Sequence, residues 1–204
     1  MNAEDILDAA HPVMPVIVLD NIEQALPLAQ ALYDGGVKAL EITLRSDCAL
    51  EAITFLKKEM PADCIVGAGT VLNGEQFHQV VAAGGDFVVT PGTTRELLDA
   101  AAETGLPFIP GVSNPSQAME ALSAGFKFQK FFPAEQAGGI AMLKAMSGPL
   151  GEISFCPTGG INSVNFKEYL DLPTVKCVGG SWIAPMNLVR SGDWTAITEL
   201  CKAL

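Results

Sequence analysis

The chain has 204 residues, 49% hydrophobic and 17% charged, and its 12 Lys and Arg against 23 Asp and Glu give a formal net charge of -11. That is apolar material for one buried core, so a single domain over residues 1–204 is expected. An acidic chain without a Lys/Arg run carries no footprint for nucleic acid or an anionic membrane, and its 20 Gly and 13 Pro, scattered between apolar runs, exclude a low-complexity or collagen-like chain.

The first residues, MNAEDILDAAHP, read as a short acidic amphipathic helix and lack the basic start and apolar core of a secretory signal. No apolar run is long enough to span a bilayer. The five cysteines (Cys48, Cys64, Cys156, Cys177, Cys201) are odd in number and form no CxxC pair. A cytoplasmic protein whose thiols are reduced apolar fillers is therefore expected. From Val13 onward, β-rich runs alternate with segments of helical period. The expected strands are Val13 to Leu19, Ala39 to Leu44, Ile65 to Ala68, Phe87 to Thr90, Phe108 to Ile109, Phe126 to Phe132, Ile153 to Pro157 and Val175 to Gly179. Between them lie buried stripes such as Ala25, Leu28, Ala29 and Leu32, or Ala49, Ala52, Ile53 and Leu56, and Ile197, Leu200, Cys201 and Leu204 form the last. Gly35 and Gly36, Gly84 and Gly85, Gly105 and Gly125 stand where helices should end in a left-handed cap. Eight such units in 204 residues predict an α/β chain folded as a single (β/α)8 TIM barrel behind a short N-terminal helix. The first strand runs into Asp20 and Asn21 without GxGxxG, against a doubly wound dinucleotide fold.

In such a barrel the chemistry sits where strands end. The second strand carries Glu41, Thr43 and Arg45 on one face and Leu40, Ile42 and Leu44 on the other, so the polar face should line the interior. The sixth places Phe128, Lys130 and Phe132 together. Strands two and six can share an interior layer, which predicts a buried Glu41 and Lys130 pair. An ammonium between aromatic rings is costly to bury, whereas the neutral amine is the form that attacks a carbonyl to make a Schiff base. The alternative is an ion pair that only fills the barrel. Lys127, of opposite parity, should face the helix layer. Gly159 and Gly160 after the seventh strand, and Gly179, Gly180 and Ser181 after the eighth, offer bare backbone N–H groups for a phosphate. His11 and His78 fit no metal-ligand spacing, and GxSxG is missing, so neither a metal site nor a Ser-His-Asp hydrolase is expected. Phe77, Val80, Val81, Met119, Met142 and Met146 should pack helices, and Trp182 and Trp194 cap the core or an interface.

LEITLRS (40–46), GAGTV (67–71), VTPG (89–92), PFIPGVSNPSQAM (107–119), KFFPAE (130–135), CPTGGI (156–161) and GGSW (179–182) together resemble the 2-keto-3-deoxy-6-phosphogluconate (KDPG) aldolases. That family also includes the 2-keto-4-hydroxyglutarate (KHG) aldolases. The resemblance implies a class I aldolase without metal or cofactor, a homotrimer, acting in sugar-acid breakdown of the Entner–Doudoroff type. By position it makes Lys130 the Schiff-base lysine, Glu41 the acid/base, and Arg45 with Thr70 the holders of the pyruvyl carboxylate. Pro91 and Phe132 then line the pyruvyl pocket, Thr158 influences stereochemistry, and Gly159, Gly160, Gly180 and Ser181 receive the phosphate. Ser46, Thr90 and Thr93 depart from the family's usual residues, and the loops of Ser46 and Thr93 are expected at the pocket mouth. Open alternatives are KHG or the galactonate epimer as substrate, a noncatalytic sugar-phosphate binder, and a phosphate-binding isomerase or epimerase, which would not need the lysine.

Overall fold

A computed structural model describes residues 1–204. The strands are β1 (Val13–Ile17), β2 (Ala39–Thr43), β3 (Ile65–Gly69), β4 (Val88–Val89), β5 (Phe108–Ile109), β6 (Gly111–Val112), β7 (Phe128–Phe131), β8 (Ser154–Pro157) and β9 (Val178–Gly180). All pair in parallel, in a six-stranded sheet ordered β5-β4-β3-β2-β1-β9 and a three-stranded sheet ordered β6-β7-β8. Parallel neighbours need crossovers. Most are helical, through α2 (Ala25–Asp34), α3 (Ala49–Glu59), α4 (Gly74–Ala82), α5 (Arg95–Thr104), α6 (Pro115–Ser123), α7 (Gly139–Ser147) and α8 (Phe166–Leu170). α9 (Met186–Ser191) and α10 (Trp194–Lys202) follow β9, and α1 (Ala3–Ala9) precedes β1. No helix is long and apolar enough to cross a membrane.

The expected single barrel of eight strands thus appears as nine segments in two sheets. One seam is Pro110, which has no N–H to give the ladder and separates β5 from β6. Its carbonyl still accepts the Lys130 N–H at 2.9 Å. The other seam lies between β8 and β9, joined only by isolated bridges at Phe155 with Val175 and Thr158 with Gly179. The strand expected from Val175 begins at Val178, because the Val175 N–H closes a turn onto Leu172 at 2.9 Å. The expected run Phe126 to Phe132 shortens as well: the Phe126 N–H returns to Ala121 at 3.0 Å and belongs to the end of α6. Gly36, Gly84, Gly105 and Gly125 take the positive φ expected of them.

Alternation along the strands sorts the core. Leu40, Ile42, Val66, Ala68, Val88, Phe108, Phe131 and Phe155 join the helices in the larger apolar cluster. The opposite face supplies Met14, Ala39, Phe87, Val89, Ile109, Phe128, Cys156 and Cys177, a separate interior cluster closed from below by Ile6, Leu7 and Ala10. The N-terminal helix is therefore a plug. An Asn2 and Asp5 capping box starts it, and Lys176 holds Glu4 at 3.1 Å and Asp8 at 3.3 Å. Two expectations fail: Val81 and Met119 are exposed. The inward faces of their helices are taken by Phe77 and Val80, and by Ala118 and Ala121, which leaves the neighbouring positions outside.

Candidate active site

Glu41, in the middle of β2, pairs across to Gly67 on β3 and Val16 on β1, which turns its side chain into the interior. Gly69 makes room for it: a β-carbon there would collide with the Glu41 carboxylate. Lys130 on β7 reaches the same space from the far side of the strands, with its Nζ 3.3 Å from Glu41 Oε1. Their side chains are 7% and 2% exposed, so the ion pair is nearly dry. Burying both charges is costly unless they are paired, which makes this a deliberate expense in an otherwise apolar interior. Phe132 lies beside the amine, its ring centre 5.4 Å from Nζ. Phe128 instead belongs to the apolar cluster below.

The mouth is built from turns just past the strands. Arg45 is exposed beyond β2, and its Nε donates to Thr70 Oγ1 at 3.3 Å. Thr70 has φ 58°, a left-handed conformation that a β-branched residue adopts only where its surroundings hold it. Arg45 and Thr70 are thus brought together as a unit, with the rest of the guanidinium fork free to meet a carboxylate. Thr158 is buried at the end of β8 and bridges to Gly179. Next to it Gly159 and Gly160 take φ 103° and 79°, and the N–H groups of Gly159, Gly160 and Ile161 find no acceptor in the chain. The Ser181 N–H is equally unengaged, and Gly180 lies beneath the Trp182 ring, where any side chain would clash. Such a pair of turns presents donors to an anion without basic side chains.

Pro91 is half-buried, and its backbone lies against Gly111. The neighbouring threonines turn out to be braces: Thr90 Oγ1 accepts from the Gly111 N–H at 3.1 Å, and Thr93 Oγ1 donates to the Gly111 carbonyl at 2.7 Å. Lys127 is exposed, on the lower rim rather than in the helix layer, lining a groove of about 480 Å³ with Met1, Leu106 and Phe126. It cannot compete with Lys130. Sequence reasoning gave no role to Glu135 or Tyr169. Tyr169 is fully buried and donates to Glu135 Oε1, while the Glu135 N–H donates to the Gly159 carbonyl at 3.1 Å. Glu135 stands inside KFFPAE, but Tyr169 has the period of a core residue, and nothing local marks the pair. The cysteines are free; Cys156 and Cys177, distant in the sequence, meet in the floor with sulfurs 3.5 Å from each other.

The family model described as "KDPG and KHG aldolase" matches residues 4–200. A 2-dehydro-3-deoxy-phosphogluconate aldolase of Dickeya dadantii is 51% identical over 201 residues, covering 98% of this chain and 93% of the relative. Among solved structures, a KDPG aldolase from Legionella pneumophila, with pyruvate captured at low pH as a covalent carbinolamine intermediate, is similar at TM-score 0.95 and 52% identity over 98% of this chain and 97% of that one. The 2-keto-3-deoxy-6-phosphogluconate aldolase of Zymomonas mobilis ZM4, solved with 3-phosphoglycerate, is similar at TM-score 0.90 and 43% identity over 98% of this chain and 93% of that one.

Proposed function

This chain belongs to the KDPG and KHG aldolase family, and from that premise we propose that its buried Lys130 and Glu41 divide the work of carbon–carbon bond cleavage between them. The protein is a lyase, a class I aldolase that splits 2-dehydro-3-deoxy-6-phosphogluconate reversibly into pyruvate and D-glyceraldehyde 3-phosphate. The observation that carries the division of roles is the 3.3 Å approach of Lys130 Nζ to Glu41 Oε1 inside a nearly dry interior.

Glu41 takes a proton from the Lys130 ammonium, the neutral amine attacks the C2 ketone, and loss of water from the carbinolamine, with Glu41 returning the proton to the departing hydroxyl, leaves an iminium. That iminium draws the electrons of the C3–C4 bond as Glu41 takes the proton of the C4 hydroxyl. The aldehyde departs. Glu41 returns the proton to C3 of the enamine, and hydrolysis of the new iminium frees pyruvate and Lys130. Arg45, steadied by Thr70, grips the pyruvyl carboxylate through a charge-assisted fork and so fixes C2 beside the amine. Pro91 and Phe132 wall the pyruvyl half, and Thr158 borders the carbon that becomes the new hydroxyl centre. The unengaged N–H groups at Gly159, Gly160 and Ser181, with Gly180 leading into the second turn, support a phosphate site there.

In this reading the two sheets are the halves of one closed (β/α)8 barrel. The Lys130 bond to the Pro110 carbonyl and the bridges between β8 and β9 support closure. Residues 1–204 act as one domain, in the cytoplasm, as the five free cysteines suit, and as a homotrimer by family likeness. Borohydride reduction with pyruvate in the presence of chelator, followed by peptide mass mapping, tests the chemistry. A reduced pyruvyl adduct on Lys130 is expected; a folded protein without adduct, or with it on Lys127, overturns the assignment.

A further inference from the structure

Glu135 is the one acidic side chain laid against the glycine turn that is read above as the phosphate site, and nothing in the cleavage chemistry uses it. A free carboxylate at an anion site is harmful twice over. It repels the ligand, and it can take the ligand's N–H donors for itself. Here the carboxylate is restrained. Its oxygen Oε1 accepts from the hydroxyl of Tyr169, a fully buried residue of α8. Burial, and after it the hydrogen bond to Glu135, raise the Tyr169 phenol above its usual value of 10, so that it remains a donor.

The same residue also touches the turn from beneath. The Glu135 N–H donates to the Gly159 carbonyl at 3.1 Å, and the neighbouring Ala134 N–H donates to the Thr158 carbonyl at 2.8 Å. Gly160 is seated so closely on the Glu135 stem that a β-carbon at 160 would collide with it. From the other side, the Gly160 carbonyl accepts from Asn162 Nδ2 at 3.5 Å and Asn165 Nδ2 at 3.4 Å. The circuit runs from the loop after β7 to the turn after β8, through α8, and back to Glu135. Its result is a turn held at positive φ with three N–H groups unspent.

We propose that Glu135 and Tyr169 are positioning residues for the phosphate end of the substrate: the phenol ties the carboxylate to α8, so that Glu135 supports the Gly159–Gly160 turn and does not compete for its N–H groups. The proposal rests on the reading of that turn as the phosphate site. It makes the pair matter to phosphorylated substrates and not to the pyruvyl chemistry.

The test compares cleavage of KDPG and of unphosphorylated KHG by Tyr169→Phe, with thermal melting to confirm folding. We expect KM for KDPG to rise about tenfold, the value of one charge-assisted hydrogen bond, with kcat within about twofold. Inhibition by inorganic phosphate should weaken by the same factor, while KHG kinetics and the rate of borohydride trapping with pyruvate stay unchanged. Glu135→Gln keeps the stem and an acceptor for the phenol and should retain wild-type KM; Glu135→Asp, which keeps the carboxylate on a stem too short to hold the phenol, should repeat the Tyr169→Phe effect and serves if that variant does not fold. Equal losses on both substrates, or no loss on KDPG, overturn the proposal. Gly160→Ala separates the two failures. If it spares KDPG selectivity, the phosphate site itself is misplaced; if it removes selectivity and Tyr169→Phe does not, only the positioning role falls.

Discussion

The floor and the mouth of the strand interior are built on the same face of the same strands, yet they have opposite character. Below lie Ile6, Leu7, Met14, Phe87, Ile109 and Phe128, an apolar plug into which α1 is pressed. Two residues beyond Phe128 on β7 comes Lys130, two beyond the buried Ala39 on β2 comes Glu41, and past β8 lie Thr158 and the glycine turns. Burying apolar groups stabilises the fold, whereas burying a Lys and Glu pair gains little stability over apolar residues of similar size. The difference teaches that the floor holds the strands in place so that the mouth can keep a costly, dry ion pair. The small residues of β3 serve both ends, since Gly67 leaves room for the Phe87 ring below and Gly69 for the Glu41 carboxylate above.

Substitutions at the two ends should therefore separate activity from stability. The largest effect is expected at the mouth: Lys130→Met should lower kcat by on the order of 10⁴-fold or more and abolish pyruvate trapping. Steady-state assays and mass spectrometry check it, and retained trapping would move the nucleophile elsewhere. At the floor, Phe87→Ala should cost about 3–5 kcal/mol of stability in denaturant unfolding while kcat of the folded enzyme stays within about twofold. A parallel fall in kcat would show that the ends are not independent. Arg45→Lys keeps the charge but loses the planar fork, so KM for the substrate should rise about tenfold with a smaller change in kcat.

The mildest test is pH. The Cys177 thiol is pushed well above its ordinary 9.0, first by its hydrogen bond with Cys156 and then by burial, and burial pushes Cys64 and Cys201 up to about 11. An acid whose folded value is raised keeps its proton longer in the native state than in the unfolded chain. Its contribution is complete below about pH 9 and is lost as pH rises through the folded value. Urea midpoints should therefore fall from pH 9 towards 11, and Cys201→Ala should flatten the slope; a flat wild-type profile would show that the thiols do not contribute. Glu41 and Lys130 need no such argument, since the chemistry at the mouth is read from kcat.

Much of the site was legible because strand parity is a local rule. The alternation around Glu41 and around Lys130 puts both inside whatever the neighbouring strands do, and the stripes Ala25 to Leu32 and Ala49 to Leu56 are buried as expected, whereas in the last one Ile197 and Cys201 are buried and Leu200 and Leu204 only half-buried. Two readings of parity and period went too far. Lys127 stands before β7 begins, so strand alternation does not govern it, and Val81 and Met119 sit beside buried stripes rather than in them. The strand limits also shifted wherever a helix end or a turn claimed the backbone groups that a ladder needed, as at Phe126 and Val175.

By itself the sequence determined the alternation of strands and helices, the inward faces of β2 and β7, the glycine positions with left-handed backbone, and, through its motifs, the family. Those depend on neighbours along the chain or on residue types that only one conformation suits. Only the tertiary structure decided that residues 41 and 130 meet at 3.3 Å, that Arg45 leans on Thr70, that Cys156 touches Cys177 and that Tyr169 holds Glu135. Each joins separate βα units, and its distance is set by how the strands curl and stagger around a common interior, which no run of neighbouring residues encodes.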